Sequence, residues 1–155
     1  MRIVAMLKTK GVKAFVVGKE NKMSYYQQLS KKLNIDNQIF FTGPRIDVND
    51  FYTISDIFLF PTHYDPFSNV VLEAMYFENA VFTTRSNGAS EILDPDFIMN
   101  SPYDKKVATS IDNLLSNIIT LNEVKIRNKK ISKQFPIEKN LKKTLEVINK
   151  IEKSF

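Results

Sequence analysis

Residues 55–75 read Ser55-Asp-Ile-Phe-Leu-Phe-Pro-Thr-His-Tyr-Asp65-Pro-Phe-Ser-Asn-Val-Val-Leu-Glu73-Ala-Met75, and this stretch decides the fold. The uninterrupted apolar run 57–60 predicts a strand, and the following proline ends it because proline has no N–H for a ladder. A short polar loop comes next, and the pattern of 68–77 predicts a helix. Two acids accompany this unit: Asp65 lies in the loop, and Glu73 follows after seven intervening residues.

A strand, loop and helix of this kind have the chemistry of a phosphate site beside two carboxylates. The first N–H groups of a helix lack intrahelical partners and lie at the positive end of its dipole, so they favour anions. The carboxylates of Asp65 and Glu73 can accept hydrogen bonds from hydroxyl groups on either side. The unit therefore predicts a site for a sugar that carries a diphosphate. Simpler interpretations remain open: Asp65 before a proline is also a common turn residue, and Ser68 a common helix cap.

Strands and helices alternate along the whole chain. The predicted strands are 14–18, which we interpret as buried, 38–43, 57–60, 80–84 and a weak 96–99. The predicted helices are 24–33, 48–54, 68–77, 88–93, a stripe formed by Val107, Ile111, Leu114, Leu115 and Ile118, and 139–153 with Leu141, Leu145 and Ile148 on one face. Apolar strands separated by helices predict an α/β, Rossmann-like doubly wound parallel sheet covered on both faces, followed by C-terminal helices.

Ligands of such folds bind at the carboxyl ends of the strands. The residues just after the strands are therefore candidates: Gly18, Lys19, Gly43, Pro44, Arg45, the loop 62–69 and the segment 85–91. Lys19 is one of many lysines and is almost as well explained by a solvated surface. The dipeptide Asn87-Gly88 is either a simple turn or a place where a ligand approaches the backbone.

Composition restricts the function classes. The 155 residues make one domain, and 43% hydrophobic residues are enough for a core. The chain has no cysteine and one histidine, which argues against disulfides, thiolate or histidine metal sites and a Ser-His-Asp mechanism. The sequence shows neither a signal peptide nor a membrane span, so we expect a cytoplasmic protein.

The basic excess of the chain lies at its C-terminus. Residues 125–155 contain ten Lys or Arg and three Asp or Glu, while the rest is slightly acidic. The simplest interpretation is a solvated helix face. An alternative is peripheral contact with the anionic inner face of the cytoplasmic membrane. Nucleic acid is not predicted, because this segment lacks aromatic interleaving and a recognised motif.

Five segments in order resemble the C-terminal, donor-binding domain of a retaining GT-B glycosyltransferase. The resemblance is to group 1, or family four, and within it to bacterial lipopolysaccharide-core glucosyltransferases. The segments are Phe15-Val-Val-Gly-Lys19, Phe41-Thr-Gly-Pro-Arg45, Ser55-Asp-Ile-Phe-Leu-Phe-Pro-Thr62, Tyr64-Asp-Pro-Phe-Ser-Asn-Val-Val-Leu-Glu-Ala-Met75 and Thr83-Thr-Arg-Ser-Asn-Gly-Ala-Ser-Glu91.

The resemblance implies a role for each candidate residue. Glu73 would hold the ribose hydroxyls of the donor, and Asp65, usually a glutamate in the family, would contact the transferred sugar. The other implied roles are diphosphate binding by the backbone of Phe67, Ser68, Asn69 and Val70, diphosphate neutralisation by Lys19 after Gly18, and nucleobase packing by Gly43, Pro44 and Arg45. No metal or other cofactor is implied, and a UDP-sugar is the favoured donor, although the residues themselves do not identify the base.

The implied activity is transfer of a sugar from a nucleotide-diphosphate sugar to lipopolysaccharide or another cell-envelope glycan, with retention at the anomeric carbon. Residues 1–155 form a single donor-binding domain in this interpretation, without the family's N-terminal acceptor domain. They also lack the first, central strand of the donor domain, which should leave backbone groups unpaired on two neighbouring strands. Glu78 and Ala80 replace a glycine and a proline of the family pattern.

We therefore expect the isolated chain to be inactive. The chain would be a fragment, a remnant, or one part of a split enzyme completed by a separate N-terminal polypeptide. Two alternatives stay open: a non-catalytic nucleotide-sugar-binding subunit, and a generic α/β interaction domain similar to a receiver.

Overall fold

The computed structural model describes residues 1–152, with all of their side chains except that of Ile137. The elements in chain order are β1 (Ala14–Val17), α1 (Met23–Lys32), β2 (Ile39–Gly43), α2 (Val48–Ile54), β3 (Ile57–Phe60), α3 (Asn69–Tyr76), β4 (Ala80–Thr84), β5 (Ile98–Met99), α4 (Lys106–Ser116), α5 (Ile118–Ser132) and α6 (Ile137–Glu152). Short 3₁₀ turns cover Val4–Met6, Gly88–Ile92 and Pro95–Phe97. The α/β, Rossmann-like fold class predicted from the sequence is confirmed.

Two predicted elements were wrong in detail. The predicted strand 96–99 is shortened to Ile98–Met99, because the Asp94 carboxylate accepts a hydrogen bond from the Asp96 N–H and starts a 3₁₀ turn. The apolar stripe ending at Ile118 is not one helix. It breaks at Asn117, whose side chain caps α5 by accepting from the Thr120 N–H, and Ile118 is exposed. The predicted helix 139–153 is α6, and Lys153 lies outside the described residues.

The core surrounds β4, the middle strand of a parallel sheet with the order β3–β4–β5. All five residues of β4 are buried. Ala80 and Phe82 pack on one side with residues of α4 and α5, while Val81 packs on the other with Val71 and Met75 of α3. The prediction of a parallel sheet covered on both faces therefore holds at this strand.

The strands β1 and β2 form a separate parallel pair. The prediction that 14–18 is a buried strand was wrong, since Phe15 and Val16 expose 39% and 38% of their surface. Among residues 1–152, β1 pairs with β2 and with no other strand. The helix α2 connects the two sheets: the Phe51 ring lies 5.6 Å from that of Phe15, and the Tyr52 ring lies 5.6 Å from that of Phe58 in β3.

The last helix, α6, stands apart from the core. Its residues 138–152 are all exposed, including the apolar side chains of Leu141, Leu145 and Ile148. No helix within the described part of the chain is long and apolar enough to cross a membrane.

The turn from α3 to β4 contains a residue with a strained backbone, Glu78. This is the glutamate that replaces a glycine of the family pattern. Glu78 has φ +59°, in the left-handed region that glycine adopts most easily. The Glu78 N–H donates to the Met75 carbonyl at 3.1 Å, and the Asn79 N–H donates to the Ala74 carbonyl at 3.0 Å, which is a Schellman motif. The Glu78 carboxylate also accepts from Lys129 Nζ at 2.6 Å.

We predict that Glu78→Gly stabilises the chain. Relief of the left-handed backbone is worth about 1 kcal/mol. The ion pair that is lost lies in solvent, where such pairs contribute little. Glu78→Gln is the matched control, because it removes the charge and keeps the strain. Urea denaturation should give the glycine variant the larger unfolding free energy of the two. A glycine variant no more stable than the glutamine variant would show that the turn is unstrained.

Candidate functional site

The loops that follow β3 and β4 are joined through their backbones. The Asp65 N–H donates to the Ser86 carbonyl at 3.1 Å, and the Gly88 N–H donates to the Asp65 carbonyl at 2.9 Å. These two bonds fix the polar loop at the carboxyl end of β3, just before α3 begins. The position of the helix start therefore depends on the segment after β4.

The side chain of Asn87 is the centre of this junction. It is fully buried, and its Oδ1 accepts from the backbone N–H groups of Ser68 at 3.3 Å and Ala89 at 3.0 Å. Its Nδ2 donates to Thr83 Oγ1 at 3.0 Å, and the Thr83 hydroxyl in turn donates to the Phe60 carbonyl at 2.9 Å. One amide thus connects the start of α3 to β4 and, through Thr83, to the end of β3. The sequence indicated only a turn at this position.

Gly88 makes room for the loop. A Cβ atom at this position would lie 1.9 Å from the Pro66 carbonyl oxygen. The sequence left open a simple turn or a close approach by a ligand; in the structure the atom that approaches the glycine belongs to the protein.

Both carboxylate oxygens of Asp65 are engaged within the loop. Oδ1 accepts from the Phe67 N–H at 3.1 Å, and Oδ2 accepts from the Ser68 hydroxyl at 2.8 Å. The turn interpretation of Asp65 therefore holds in the structure. Ser68 occupies the N-cap position of α3 and is buried, but its hydroxyl donates to Asp65 instead of capping the helix.

The start of α3 offers two free donors. The N–H of Phe67 bonds Asp65 and that of Ser68 bonds Asn87, while no group among the described residues accepts from the N–H of Asn69 or Val70. Such unpaired groups at a helix N-terminus are suited to an anion. Of the four backbone positions that the resemblance assigned to the diphosphate, these two remain available.

Glu73 lies one turn further along α3 and is exposed. Its carboxylate accepts a hydrogen bond from the Tyr52 hydroxyl at 3.2 Å. Tyr52 is buried, and its ring stacks on Phe77 at 5.8 Å. Burial, followed by the negative charge of Glu73 and their hydrogen bond, raises the pKa of Tyr52. The role of this tyrosine could not be predicted from the sequence, because no spacing rule connects two helices that are separated by a strand.

The glycines predicted for the site end the other two strands. Gly18 and Gly43 have φ +134° and +69°, and the Gly18 N–H donates to the Gly43 carbonyl at 2.9 Å. Lys19 and Pro44 are exposed beside them. Lys19 takes part in none of the ion pairs formed by residues 1–152, so its charge is available to a ligand.

Unlike Lys19, Arg45 already forms an ion pair within the protein. Its guanidinium donates two hydrogen bonds to Asp47, at 2.8 and 2.6 Å, and lies 5.8 Å from the Phe51 ring centre. The hydrogen bond to Asp47 raises the pKa of Arg45 and lowers that of Asp47. Two groups of candidate residues are thus separate: those after β1 and β2, and those around Asp65. No hydrogen bond or ion pair of the described residues joins the two groups directly. The helix α2 lies between them and contacts Arg45 through Phe51 and Glu73 through Tyr52.

Two cavities lie within the described part of the chain, and only one of them touches a candidate residue. One of about 410 Å³ lies beside Glu73 and is lined mainly by apolar side chains of α3 and of the link between α5 and α6. A larger one of about 590 Å³ lies between α4 and α5 and contains none of the predicted site residues. We assign the site to the strand ends, because the free helix amides and the two acids are there.

Gly88→Ala tests the packing of the two loops. The added methyl group must displace the Pro66 carbonyl, and overpacking of this kind costs about 1–3 kcal/mol. In a chain of this size, we expect the melting temperature to fall by about 2–4 °C for each kcal/mol of unfolding free energy that is lost. Ser86→Ala, an exposed change in the same loop, should leave the melting temperature unchanged. If the two variants had the same melting temperature, the close packing of Gly88 against the Pro66 carbonyl would be contradicted.

The raised pKa of Tyr52 predicts a loss of stability in alkali. An unfolded tyrosine releases its proton near pH 10, whereas the folded Tyr52 retains it to higher pH. The unfolding free energy should therefore decrease by up to about 1.4 kcal/mol per pH unit above 10 through this group. Urea denaturation between pH 8 and 11 should show a shallower decrease for Tyr52→Phe; parallel profiles would contradict the assignment.

Comparisons with known proteins agree with this arrangement of strands and loops. The chain is 34% identical over 74 residues to the capsular polysaccharide biosynthesis glycosyltransferase CapM of Staphylococcus aureus, a match that covers 46% of this chain and 20% of CapM. The structure of Anabaena HepE in complex with UDP superposes with a TM-score of 0.84 at 19% identity, over 96% of this chain and 43% of HepE. WaaG, a glycosyltransferase involved in lipopolysaccharide biosynthesis, gives 0.82 at 19% identity, over 95% and 41%.

The structural matches confirm the predicted fold as a Rossmann-like half of the GT-B type. The chain spans about a fifth of CapM and less than half of HepE. Residues 1–132 match the family described as Glycosyl transferases group 1. We conclude that the chain belongs to this family of glycosyltransferases.

Proposed function

We propose that the chain is the donor-binding part of a glycosyltransferase that uses a nucleotide-diphosphate sugar. The proposal rests on the N–H groups of Asn69 and Val70, from which no group of the described chain accepts a hydrogen bond, and on Glu73 of the same helix. The amides suit a diphosphate, and a carboxylate suits the two hydroxyls of a ribose. A UDP-sugar is the proposed donor. Support comes from HepE, whose structures include complexes with UDP and with UDP-glucose.

The proposed chemistry needs a stabilised diphosphate leaving group. Helix-end amides and the charge of Lys19 stabilise negative charge as it develops on the diphosphate, and they do so without a metal ion in this proposal.

Each oxygen of Asp65 accepts one hydrogen bond within the loop, so each retains a lone pair for a sugar hydroxyl. We include retention at the anomeric carbon in the proposal because of the resemblance to retaining enzymes. Once an acceptor-binding domain is supplied and sugar is transferred, we expect EDTA to leave the rate unchanged if no metal ion is needed.

The acceptor is proposed to be lipopolysaccharide or another cell-envelope glycan, in line with the names of CapM and WaaG. The acceptor-binding surface lies outside residues 1–155 in this proposal, and residues 1–155 alone should not turn over. A non-catalytic nucleotide-sugar-binding subunit is the alternative. Turnover after addition of an acceptor-binding domain would separate a catalytic half from such a subunit.

Calorimetric titration with UDP and UDP-glucose tests the donor site. Glu73→Gln removes the charge that would hold the ribose, and hydrogen bonds to charged groups contribute about 1.5–3 kcal/mol. We therefore expect affinity to fall about tenfold or more. Glu123→Gln, an exposed acid on α5, is the matched control and should bind as the unmodified chain does. Equal affinities of the two variants would remove Glu73 from the donor site.

The helix α6 favours peripheral contact with an anionic membrane as part of the same proposal. Residues 125–152 carry nine Lys or Arg and three Asp or Glu, and the exposed apolar stripe of α6 could enter the lipid interface. Sedimentation with phosphatidylglycerol vesicles should exceed that with phosphatidylcholine vesicles. Replacing Lys139, Lys142 and Lys143 by Gln should abolish the difference. Equal sedimentation with both lipids would exclude this contact.

A further inference from the structure

The larger cavity, of about 590 Å³ between α4 and α5, contains no residue of the candidate donor site. Its volume is within the range of small-molecule sites in proteins. Its third wall is the 3₁₀ turn Pro95–Phe97, which comes just before β5 and packs against α4. The candidate donor residues instead follow the strands, so the cavity lies toward the opposite, amino-terminal end of the sheet.

Two helix faces line the cavity with polar side chains. On α4 and directly after it, Ser110, Asn113 and Asn117 follow one another at intervals of three and four residues. On α5, Thr120 and Arg127 lie seven residues apart. Residues at such intervals share one face of a helix. Because the Asn117 side chain also caps α5, the two faces meet at a fixed turn.

The floor of the cavity is apolar. Phe82 of β4 is 1% exposed, and Leu114 and Val124 are buried in the same core cluster. The ring of Phe97 is half-buried and lies 5.0 Å from that of Phe82. A ligand in the cavity would therefore meet carbon atoms below it and polar groups around it.

Several of these polar groups have no partner within the protein. The hydroxyls of Ser110 and Thr120, the side-chain amide of Asn113 and the carboxylate of Asp96 form no hydrogen bond with any described residue. Hydroxyl and amide groups both donate and accept, whereas a carboxylate only accepts. The cavity thus offers donors and acceptors to the same ligand.

The charges around the cavity disfavour a phosphate. Among the described residues that line it, Arg127 is the one cation, and it pairs with Asp94 at 2.9 Å; the other charged groups are carboxylates. A diphosphate would therefore be repelled. A metal ion is disfavoured as well, since residues 1–152 contain no group of three or more His, Cys, Asp or Glu placed to hold one.

We propose that this cavity binds a neutral hexose unit of a glycan. A pyranose ring carries hydroxyl groups around its edge, which donate and accept, and C–H groups on its faces. The free groups of Ser110, Asn113 and Thr120 match the hydroxyls, and the apolar floor matches a C–H face. The proposal assigns a second sugar site to the chain, at the end of the sheet away from the donor.

A site of this kind would retain a growing glycan between transfers, because a tethered chain has a higher effective concentration at the enzyme. This use of the site rests on the proposed function. The binding of sugar itself does not, since it requires neither a nucleotide nor turnover.

Nuclear magnetic resonance of the ¹⁵N-labelled chain, titrated with sugars, tests the proposal. The probes are methyl α-glucoside, methyl α-galactoside and N-acetylglucosamine, each up to about 100 mM, because an open site for a neutral ligand binds weakly. At least one of them should shift the side-chain amide signals of Asn113 and Asn117 to a saturating value. An equal mass of glycerol, which has hydroxyls but no ring, should not.

Asn113→Ala removes a free amide from the exposed side of α4. It should weaken sugar affinity about fivefold or more, as expected for the loss of one or two neutral hydrogen bonds. Asn122→Ala is the matched control, because it removes an exposed amide of α5 that does not line the cavity. This variant should bind sugar as the unmodified chain does.

Three results would overturn the proposal: no saturable shift with any of the three sugars, equal affinity of the two variants, or shifts confined to the loops after β3 and β4. Spermidine that shifts the same signals at a lower concentration than every sugar would identify a cation as the ligand and would also refute it. Absence of UDP binding would refute the donor site and leave this test unaffected, because no nucleotide is present in it.

Discussion

The side-chain amide of Asn87 is the interaction on which the candidate site depends. It is fully buried, and it holds the N–H of Ser68 at the start of α3 while it bonds Thr83 in β4. The N–H of Phe67 bonds Asp65, so the helix start is fixed on both sides. Nothing in residues 1–152 accepts from the next two amides of α3, those of Asn69 and Val70. A phosphate site made of backbone groups requires this rigidity, since loose amides would lose their advantage over water.

Asp65 and Glu73 have different structural roles despite their regular spacing. Asp65 shapes the loop through two short-range hydrogen bonds, and Glu73 is held by Tyr52 from the neighbouring helix α2. Through Phe51, the same helix contacts Arg45 beside the ends of β1 and β2. The two halves of the site are therefore connected by α2.

Sequence patterns predicted those features of the fold that depend on local interactions along the chain. The strand 57–60 and helix 68–77 follow from apolar runs and turn residues. The family resemblance marked Glu78 as a replaced glycine, and only the structure shows its left-handed backbone. Burial of β1 was predicted wrongly, because it depends on a neighbouring strand. Asn87 and Tyr52 were missed for a related reason: their partners lie 19 and 21 residues away, and only the tertiary fold brings them together.

The most direct measurement compares UDP affinity in Asn87→Ala and Asn128→Ala. Both asparagines are buried, and Asn128 donates to the Asn79 carbonyl beyond the C-terminal end of α3. Each buried group left unpaired costs about 1–3 kcal/mol, so both changes should lower the melting temperature. Asn87→Ala should lower it more, because it loses three hydrogen bonds and Asn128→Ala loses one. The account predicts that only Asn87→Ala loses UDP affinity, by about tenfold or more, which corresponds to about 1.4 kcal/mol. Equal UDP affinity in the two folded variants would contradict it.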